Sequence, residues 1–437
     1  MKNTLGKYRW RILALLFFAT TINYLDRSII MVLGPTLSNH VFNWTDQEYA
    51  NITMFFKISY SIGLLIMGSF IDRYGTKLGY TVSIIIWSIS GMLHSLVTKS
   101  VGWIGFALAR FGLGFGESGN FPAAVKTVAE WFPKKERSFA TGLFNAGSNV
   151  GAILAPILIP LIVSNTGKNW QFAFLLTGFL SALWIILWIK TYRKPAVHPK
   201  LTKEELAYIT EDSEPENDIL KIPRIKLLKA KETWAFIITK TTDAVWLFYI
   251  FWSGFFLNQT YGIELQGLAL PLILIFVVAD LGSIFGGWLS SSFIKNGWTV
   301  NRARKIAMLI CTIFIVPVVL VPAMHNQWAA VTLIALAAGG HQAWSANVLT
   351  LPTDLFPKKA IASIVGIGGM VGYALGALSD FFLGKVLTNS GPAGYMYAFG
   401  VAGSLYLLTL LAFHILVPKM NPLDENLKPV GKTGTIT

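Results

Sequence analysis

Long apolar runs alternate with short polar segments along almost the whole chain. A helix needs about 20 apolar residues to cross the hydrocarbon core of a bilayer, and twelve runs reach that length. The pattern therefore predicts an all-α membrane protein with twelve transmembrane helices. The predicted spans lie near residues 12–36, 48–71, 78–98, 101–126, 138–164, 169–190, 234–258, 266–290, 305–323, 327–352, 360–388 and 393–417.

One long polar segment interrupts this pattern between the sixth and seventh runs. Residues 191–232 are charged and proline-rich, and residues 201–209 have the composition of a short surface helix. We therefore predict an N-terminal six-helix bundle at residues 1–190, a C-terminal one at residues 233–418, and a tail at residues 419–437. Two bundles that rock about a central site are one architecture of secondary transporters, although composition alone also admits other twelve-span folds.

The composition agrees with a chain whose surface mostly faces lipid. Hydrophobic residues make up 54% and charged residues 13% of the chain, whereas soluble domains carry about 25% charged residues. A single cysteine, Cys311, excludes a disulfide framework and a cysteine-based metal centre. The first apolar run leads straight into Asp26 and Arg27 without a small-residue cleavage site, so no cleavable signal peptide is expected.

The net charge of +14 is distributed unevenly between the polar segments. Segments on one side of the predicted membrane hold nearly all lysines and arginines, whereas those on the other side hold Lys99, Lys168 and Lys385. This asymmetry is typical of cytoplasmic loops, so both termini are predicted to be cytoplasmic. The basic balance thus reflects topology in a lipid bilayer, and no nucleic-acid partner is expected.

A charged segment follows the second predicted span, at residues 68–77. Its Asp72, Arg73, Gly75 and Lys77 are predicted to hold neighbouring helices together at the cytoplasmic side and so to act in gating. The alternative is an ordinary charged turn. The corresponding segment of the second half, residues 286–290, lacks the Asp-Arg pair, so we expect a weaker connection there.

Charged residues within the predicted spans are candidates for function, because a charge at membrane depth costs about 2.5–3.5 kcal/mol on insertion scales. The first four spans hold three cations and two acids of this kind, a combination suited to an organic anion and a proton. The set comprises Asp26, Arg27, Lys57, Arg110, Glu117, Lys240, Asp243 and Asp280.

In the first half, helical spacing places several of these groups on shared faces. Tyr24 and Arg27 share one face of the first span, and Arg110 and Glu117 share a glycine-rich face of the fourth. For Asp26 and Arg27 the alternative is a pair that snorkels to the outer surface.

Lys57 lies about ten residues from either end of the second span, too far for its ammonium to reach water easily. Tyr60 follows one turn later on the same side. A buried ammonium requires a carboxylate partner, either from the protein or from the substrate. We therefore predict a role for Lys57 in substrate binding or coupling.

In the second half, Lys240, Asp243 and Trp246 recur at intervals of three in the seventh span. For four polar residues of the tenth span, substrate binding and ordinary packing are both open interpretations. Asp280 is as consistent with a structural hydrogen bond as with function. His94 and His414 lack polar neighbours in the sequence and are interpreted as packing residues. The four polar residues of the tenth span are His341, Gln342, Ser345 and Asn347.

Several strings resemble the anion:cation symporter branch of the major facilitator superfamily, and within it the bacterial hexuronate and hexonate transporters. The resemblance runs over the whole chain, and residues 68–77 resemble the signature loop of the superfamily. It implies the major facilitator fold. The strings that carry it lie at residues 23–27, 110–117, 130–137, 144–152 and 340–342.

The resemblance also implies roles for residues of the first half. Arg27 would bind the substrate carboxylate, Asp26 and Glu117 would take up protons, and Arg110 would be the charge partner released on protonation. The residues that would contact the sugar hydroxyls or line the site are Tyr24, Tyr60, Ser148 and Asn149.

Two positions depart from the branch. Ser148 replaces a glutamine of a hexonate-transporting relative, which favours hexuronates over strict hexonate specificity. Lys57 replaces a residue that is commonly small or neutral, which implies a second anchor for the anion or a changed proton stoichiometry.

The expected function is proton symport of a hexuronate, glucuronate or galacturonate, into the cell across the inner (plasma) membrane by a monomer without cofactor or metal. One alternative is a carrier or exchanger of another organic anion, such as a hexonate, tartrate, phthalate-like acid or organophosphate. A membrane-embedded enzyme is disfavoured because no loop carries a Ser/His/Asp set, a metal-ligand cluster or a phosphate-binding glycine loop. A sensor would need an appended signalling domain, which the linker and tail are too short to supply.

Overall fold

The computed structural model describes residues 7–211 and 223–429. The regular secondary structure of this described part is helical, and it contains no strand, only an isolated bridge between Leu423 and Pro429. The chain divides into two compact units, at residues 1–217 with 263–269 and at residues 218–262 with 270–437. The all-helical prediction is confirmed.

The first unit packs its long helices in pairs, chiefly α1 against α6 and α2 against α4. Its helices are α1 (Tyr8–Thr36), α2 (Asp46–Tyr74), α3 (Thr76–Leu93), α4 (Gly102–Glu117), α5 (Asn120–Trp131), α6 (Lys134–Ile162), α7 (Trp170–Thr191) and α8 (Lys203–Thr210).

In the second unit, α13 packs against α14, α11 against α16, and α10 against α17. The helices are α9 (Arg224–Leu227), α10 (Lys231–Lys240), α11 (Asp243–Tyr261), α12 (Ala269–Lys295), α13 (Val300–Ile315), α14 (Gln327–Val348), α15 (Leu351–Leu355), α16 (Lys358–Ser390) and α17 (Tyr395–Leu416). Helix α12 begins at the boundary between the two units.

Local sequence explains how the helices that carry the site begin and approach one another. Thr45 and Glu48 form a reciprocal capping box at the start of α2, which satisfies two of its first N–H groups. On α6, a Cβ at Gly147 or Gly151 would overlap the carbonyl oxygen of Phe17 or Thr21 on α1. The close contact of α1 with α6 therefore depends on glycine at both positions.

Eight stretches of the described chain are long and apolar enough to cross a membrane, so twelve spans remain a prediction. Three of the predicted spans are not among these stretches: two are divided between shorter helices, and the third, 327–352, lies largely on α14. Span 101–126 is split between α4 and α5, and span 234–258 between α10 and α11. The last two predicted spans form a single stretch, Ser363–Leu416.

Part of the predicted linker packs against the first unit. Within it, Glu205 of α8 lies 3.5 Å from the guanidinium of Arg9, and Arg9 also pairs with Glu136 at 2.9 Å. Residues 212–222 of the linker and 430–437 of the tail lie outside the described residues.

Candidate functional site

The first unit contains a fully buried ion pair between α1 and α4. The Nε and Nη2 atoms of Arg27 donate to Oε2 of Glu117 at 2.9 and 2.7 Å. The side chains are 1% and 0% exposed, and the Oε1 atom of Glu117 has no hydrogen-bond partner among the described residues. The sequence predicted both residues as site members, with Arg110 as the charge partner released on protonation, and the structure pairs Glu117 directly with Arg27.

Aromatic rings surround the Arg27 guanidinium on the same side of the unit. Its central carbon lies 4.6 Å from the ring centroid of Tyr24, 4.8 Å from Tyr60 and 5.3 Å from Phe56. The negative faces of rings at this distance attract a cation, but a ring carries no full negative charge. Glu117 occupies a hydrogen-bonding edge of the Arg27 guanidinium, and the three rings lie around it.

Asp26 faces a different set of helices from its neighbour Arg27. Its Oδ1 atom accepts a hydrogen bond from the Thr177 hydroxyl of α7. A Cβ added to Gly91 of α3 would lie 3.4 Å from the same oxygen. Asp26 and Arg27 are each 1% exposed, so the structure shows two separate buried groups rather than a pair that snorkels to the surface.

Arg110 on α4 is fully buried, with its guanidinium 5.9 Å from the Phe56 ring centroid. Its three guanidinium nitrogens have no hydrogen-bond partner among the described residues. Its charge acts on Glu117 and Asp26 through space. Arg110 therefore supplies positive potential to both acids without a fixed bond to either one.

The remaining predicted residues of the first half occupy varied positions. Lys57 is fully buried in the middle of α2. Ser148 on α6 donates to the Asn145 carbonyl at 2.7 Å and lies 3.3 Å from Oδ1 of the half-buried Asn149. The Ser148 hydroxyl is thus oriented by its own helix.

The second unit also contains an ion pair, at the break between α10 and α11. Lys240 is the last residue of α10 and Asp243 the first of α11, and their side chains are in direct contact. A cation at a helix C-terminus and an anion at a helix N-terminus both complement the helix dipoles. The two helix dipoles therefore stabilise this ion pair in addition to the attraction between its own charges.

His341 of α14 lies in a buried aromatic group next to this pair. Its Nδ1 atom is 2.7 Å from the Tyr406 hydroxyl of α17. Its ring stacks on Trp246 of α11 at 5.3 Å, with an angle of 4° between the planes. The sequence predicted His341 and Trp246 as site residues, and the structure brings them into contact.

The other predicted residues of α14 differ in what they contact. Gln342 and Ser345 are half-buried. Asn347 is fully buried, and its Nδ2 atom donates to the carbonyls of Gly286 and Ala343 at 3.0 Å each. Its amide therefore ties α14 to α12.

The predicted gating residues lie at the turn between α2 and α3. Asp72 pairs with Lys126 of α5 at 3.2 Å, and Lys126 also donates to the Ile71 carbonyl at 3.1 Å. Gly75 makes the turn with a φ of 85°, a conformation that favours glycine. Arg73 is exposed, while Lys77 is half-buried and its carbonyl accepts from Thr81.

The second unit has an analogous connection built from other residues. Arg304 of α13 pairs with Asp354 of α15 at 2.9 Å and donates to the Ser290 hydroxyl of α12 at 2.8 Å. Residues 286–290 lack the Asp-Arg pair, as the sequence shows, but an arginine from the next helix joins the same region. The weaker connection was expected from residues 286–290 alone, and Arg304 lies outside that segment.

Sequence reasoning missed one buried acid, Asp380 of α16. It is 2% exposed, and its Oδ1 atom accepts from the Trp252 indole at 2.9 Å. It also lines a cavity of about 290 Å³ within the second unit. The rule applied to the other mid-span charges would have found it, since residue 380 lies inside the eleventh predicted span.

Three further residues are placed by the structure as follows. His94 is buried and stacked on Phe174 at 4.8 Å, as a packing residue would be. His414 does have a polar neighbour, the Lys305 ammonium at 3.3 Å, so its interpretation as an isolated packing residue was wrong. Asp280 is half-buried on α12.

Among the described residues, no group of three or more acidic, histidine or cysteine side chains is arranged to hold a metal ion.

Comparisons with known proteins agree with this architecture. The family model described as "Major Facilitator Superfamily" matches residues 16–379. The chain is 29% identical over 413 residues to a hexuronate transporter of Escherichia coli (strain K12), covering 92% of this chain and 94% of the relative. It is 31% identical over 337 residues to a galacturonate transporter of Dickeya chrysanthemi, covering 76% of this chain and 95% of the relative.

A solved structure shows the same fold. The crystal structure of a bacterial homolog of the human lysosomal transporter Spinster matches with a TM-score of 0.75 at 18% identity, covering 95% of this chain and 98% of that one. The matched relatives are transporters rather than enzymes. The chain is therefore an integral membrane transporter that belongs to the major facilitator superfamily.

Proposed function

We propose that this transporter carries a hexuronate anion, glucuronate or galacturonate, into the cell together with protons by alternating access. It acts as a monomer in the inner (plasma) membrane, with both termini cytoplasmic and without a cofactor. The observation that carries the proposal is the buried Arg27–Glu117 pair, whose guanidinium lies against the rings of Tyr24 and Tyr60.

The pair accounts for coupling between an anion and a proton. A substrate carboxylate binds Arg27 by taking the place of the Glu117 carboxylate, and a planar guanidinium favours such a two-point contact. Removing one partner from a buried ion pair leaves an uncompensated charge, at a cost of about 3–5 kcal/mol. Proton uptake by Glu117 avoids that cost, so protonation and substrate binding occur together.

Asp26 supplies a second protonation site on the other side of α1. Its carboxylate is buried against α3 and α7, with a single threonine hydroxyl as its hydrogen-bond donor among the described residues. Arg110 acts on both acids, so its positive charge favours their ionised forms when the substrate leaves. The cycle thus returns to the paired state after release of substrate and protons to the cytoplasm.

The assignment to hexuronates rests on the named relatives and on polar groups suited to a sugar. In the first unit, Tyr24 and Tyr60 place phenol rings at Arg27. In the second unit, His341, Gln342 and Ser345 offer hydrogen-bonding groups, and Trp246 offers a flat apolar surface for a sugar ring. Ser148 and Asn149 contribute further hydroxyl and amide groups.

The test is uptake of labelled glucuronate into proteoliposomes with an imposed inward proton gradient. We expect accumulation above the equilibrium level when the outside is acidified, and collapse of accumulation when a protonophore is added. Equal uptake with and without the gradient would reject symport.

A second candidate is a carrier of a doubly charged organic anion, and the observation that favours it is Lys57. Like Arg27 and Arg110, this cation of the first unit is fully buried, in its case on α2. A panel of competing anions, including hexonate, tartrate, phthalate and an organophosphate, separates the two candidates. Stronger competition by a dianion than by glucuronate would favour the second.

A further inference from the structure

We propose that Asp243 restricts this transporter to sugar acids with one carboxylate, because it neutralises the Lys240 ammonium in the second unit. The inference rests on the proposed function and names the substrate class more narrowly. A hexuronate carries one carboxylate, whereas a hexarate carries a second carboxylate in place of the aldehyde. The hexuronate closes to a hemiacetal ring through its aldehyde, which a hexarate lacks. The second carboxylate of the hexarate also adds a negative charge, on which a single cation can act.

The ion pair lies at an interruption of a predicted membrane span. Between α10 and α11, the N–H groups of Thr241, Ala244 and Val245 bond to carbonyls three residues earlier instead of four. The hydroxyls of Thr239, Thr241 and Thr242 donate to carbonyls of the same turn. Tightened turns inside helices are often functional hinges or strained segments, and interrupted helices form the binding sites of many transporters.

Close packing by α16 holds both members of the pair. A Cβ at Gly368 would lie 2.9 Å from Cγ of Lys240, and a Cβ at Gly372 would lie 2.9 Å from Oδ2 of Asp243. The side chains are only 9% and 19% exposed. The Lys240 ammonium is therefore held against the Asp243 carboxylate by its surroundings as well as by charge.

The polar groups around the pair suit hydroxyls. The Lys240 charge acts on His341 of α14, and the Asp243 charge acts on Tyr406 of α17. The ammonium and carboxylate cancel, and imidazole and phenol groups exchange hydrogen bonds with neutral ligands. This surface accepts a hydroxyl or hemiacetal, whereas a carboxylate approaching Lys240 is repelled by Asp243.

The test compares labelled glucuronate with labelled glucarate in proteoliposomes of wild type and variants. Asp243→Asn leaves Lys240 without its counter-charge and keeps the size of the side chain. We expect the ratio of glucarate to glucuronate uptake to rise by about tenfold or more, because an uncompensated charge in a site of low dielectric constant acts strongly on a second charge.

Two further variants isolate the charge of Lys240. The double variant Lys240→Met with Asp243→Asn removes both charges and should return the ratio to within about threefold of wild type. Lys240→Met alone leaves a net negative charge and should lower the ratio below that of wild type. The result for Lys240→Met alone tests the inference even if the Asp243→Asn protein does not reach the membrane. Asp280→Asn, a half-buried acid elsewhere in the unit, is the matched control and should leave the ratio unchanged.

The possible failures are distinguishable. If wild type accumulates glucuronate but neither single variant changes the ratio, the inference is wrong while the proposed function stands. If wild type accumulates glucarate as readily as glucuronate, the inference is wrong as well. If wild type accumulates neither acid, the proposed function fails and the inference fails with it.

Discussion

Each unit of this transporter contains a buried cation paired with a carboxylate, but the two pairs are built differently. Arg27 and Glu117 lie 90 residues apart on α1 and α4, so their bond joins two helices. Lys240 and Asp243 lie three residues apart, at the ends of two segments of one predicted span. Breaking the first pair alters how two helices are held, whereas breaking the second changes only local charge.

Under the proposed function, the difference between the two pairs separates two tasks of a symporter. A bond between helices that opens on protonation can couple proton uptake to a conformational change. The second pair joins two consecutive helices that the chain already connects through two residues, so it suits selection of the substrate. We therefore assign coupling to the pair of the first unit and selectivity to the pair of the second.

The largest effect is expected from Arg27→Ala. It removes the cation proposed to bind the substrate carboxylate and leaves Glu117 buried without its Arg27 partner. We expect glucuronate affinity to fall by at least about a hundredfold, in line with the loss of a buried charge-assisted contact. Equilibrium binding to the purified protein measures this, with the exposed Arg302→Ala as control. Unchanged affinity would move the carboxylate site away from Arg27.

Glu117→Gln should separate two activities that are joined in wild type. The amide cannot take up a proton, so accumulation driven by a proton gradient should fall to the level that protonation of Asp26 alone supports. Exchange of external for internal glucuronate should continue, because that reaction needs no net proton transfer. Counterflow and gradient-driven uptake in the same proteoliposomes give both values. Full accumulation by this variant would exclude Glu117 from coupling.

A smaller effect is expected from His341→Ala in the second unit. The variant loses the contact with Tyr406 and the stacking on Trp246. We expect the Kd for glucuronate to rise by about fivefold to tenfold, the value of one hydrogen bond of about 1 kcal/mol with some lost packing. Proton coupling should remain intact. Loss of gradient-driven accumulation at saturating substrate would contradict the separation of tasks.

Asp72→Asn should have the smallest effect of the series. The Asp72–Lys126 pair is partly exposed, and such pairs contribute about 0–1 kcal/mol. Lys126 also keeps its bond to the Ile71 carbonyl. We expect uptake rates within about threefold of wild type. A complete loss of transport would show that this pair has a larger role in gating than its exposure indicates.

Much of the fold follows from the apolar runs, whereas the details of the site depend on tertiary contacts. Hydrophobic length predicted helices throughout, and the strings at residues 23–27 and 110–117 pointed to the correct superfamily. The choice between Arg27 and Arg110 as the partner of Glu117 depends on how α1 and α4 are rotated against each other. A pattern along one helix cannot specify that rotation.

The breaks within spans were missed for a related reason. The apolar run at residues 234–258 is long enough to cross a membrane. Hydropathy along the sequence indicates that length but gives no sign of a tightened turn within the run. The threonines at positions 239, 241 and 242 were a signal, because their hydroxyls can bond to backbone carbonyls and so accompany a bend. The twelve-span topology, the domain boundaries and the site roles remain predictions.

The central claim is that the substrate carboxylate replaces Glu117 on Arg27 as Glu117 takes up a proton. Its most direct test is the number of protons taken up per glucuronate bound by the purified protein, read with a pH indicator in weak buffer. We predict net proton uptake by wild type and about one proton fewer per substrate for Glu117→Gln, as linkage requires. Identical proton uptake by the two proteins, or none by wild type, would contradict the account.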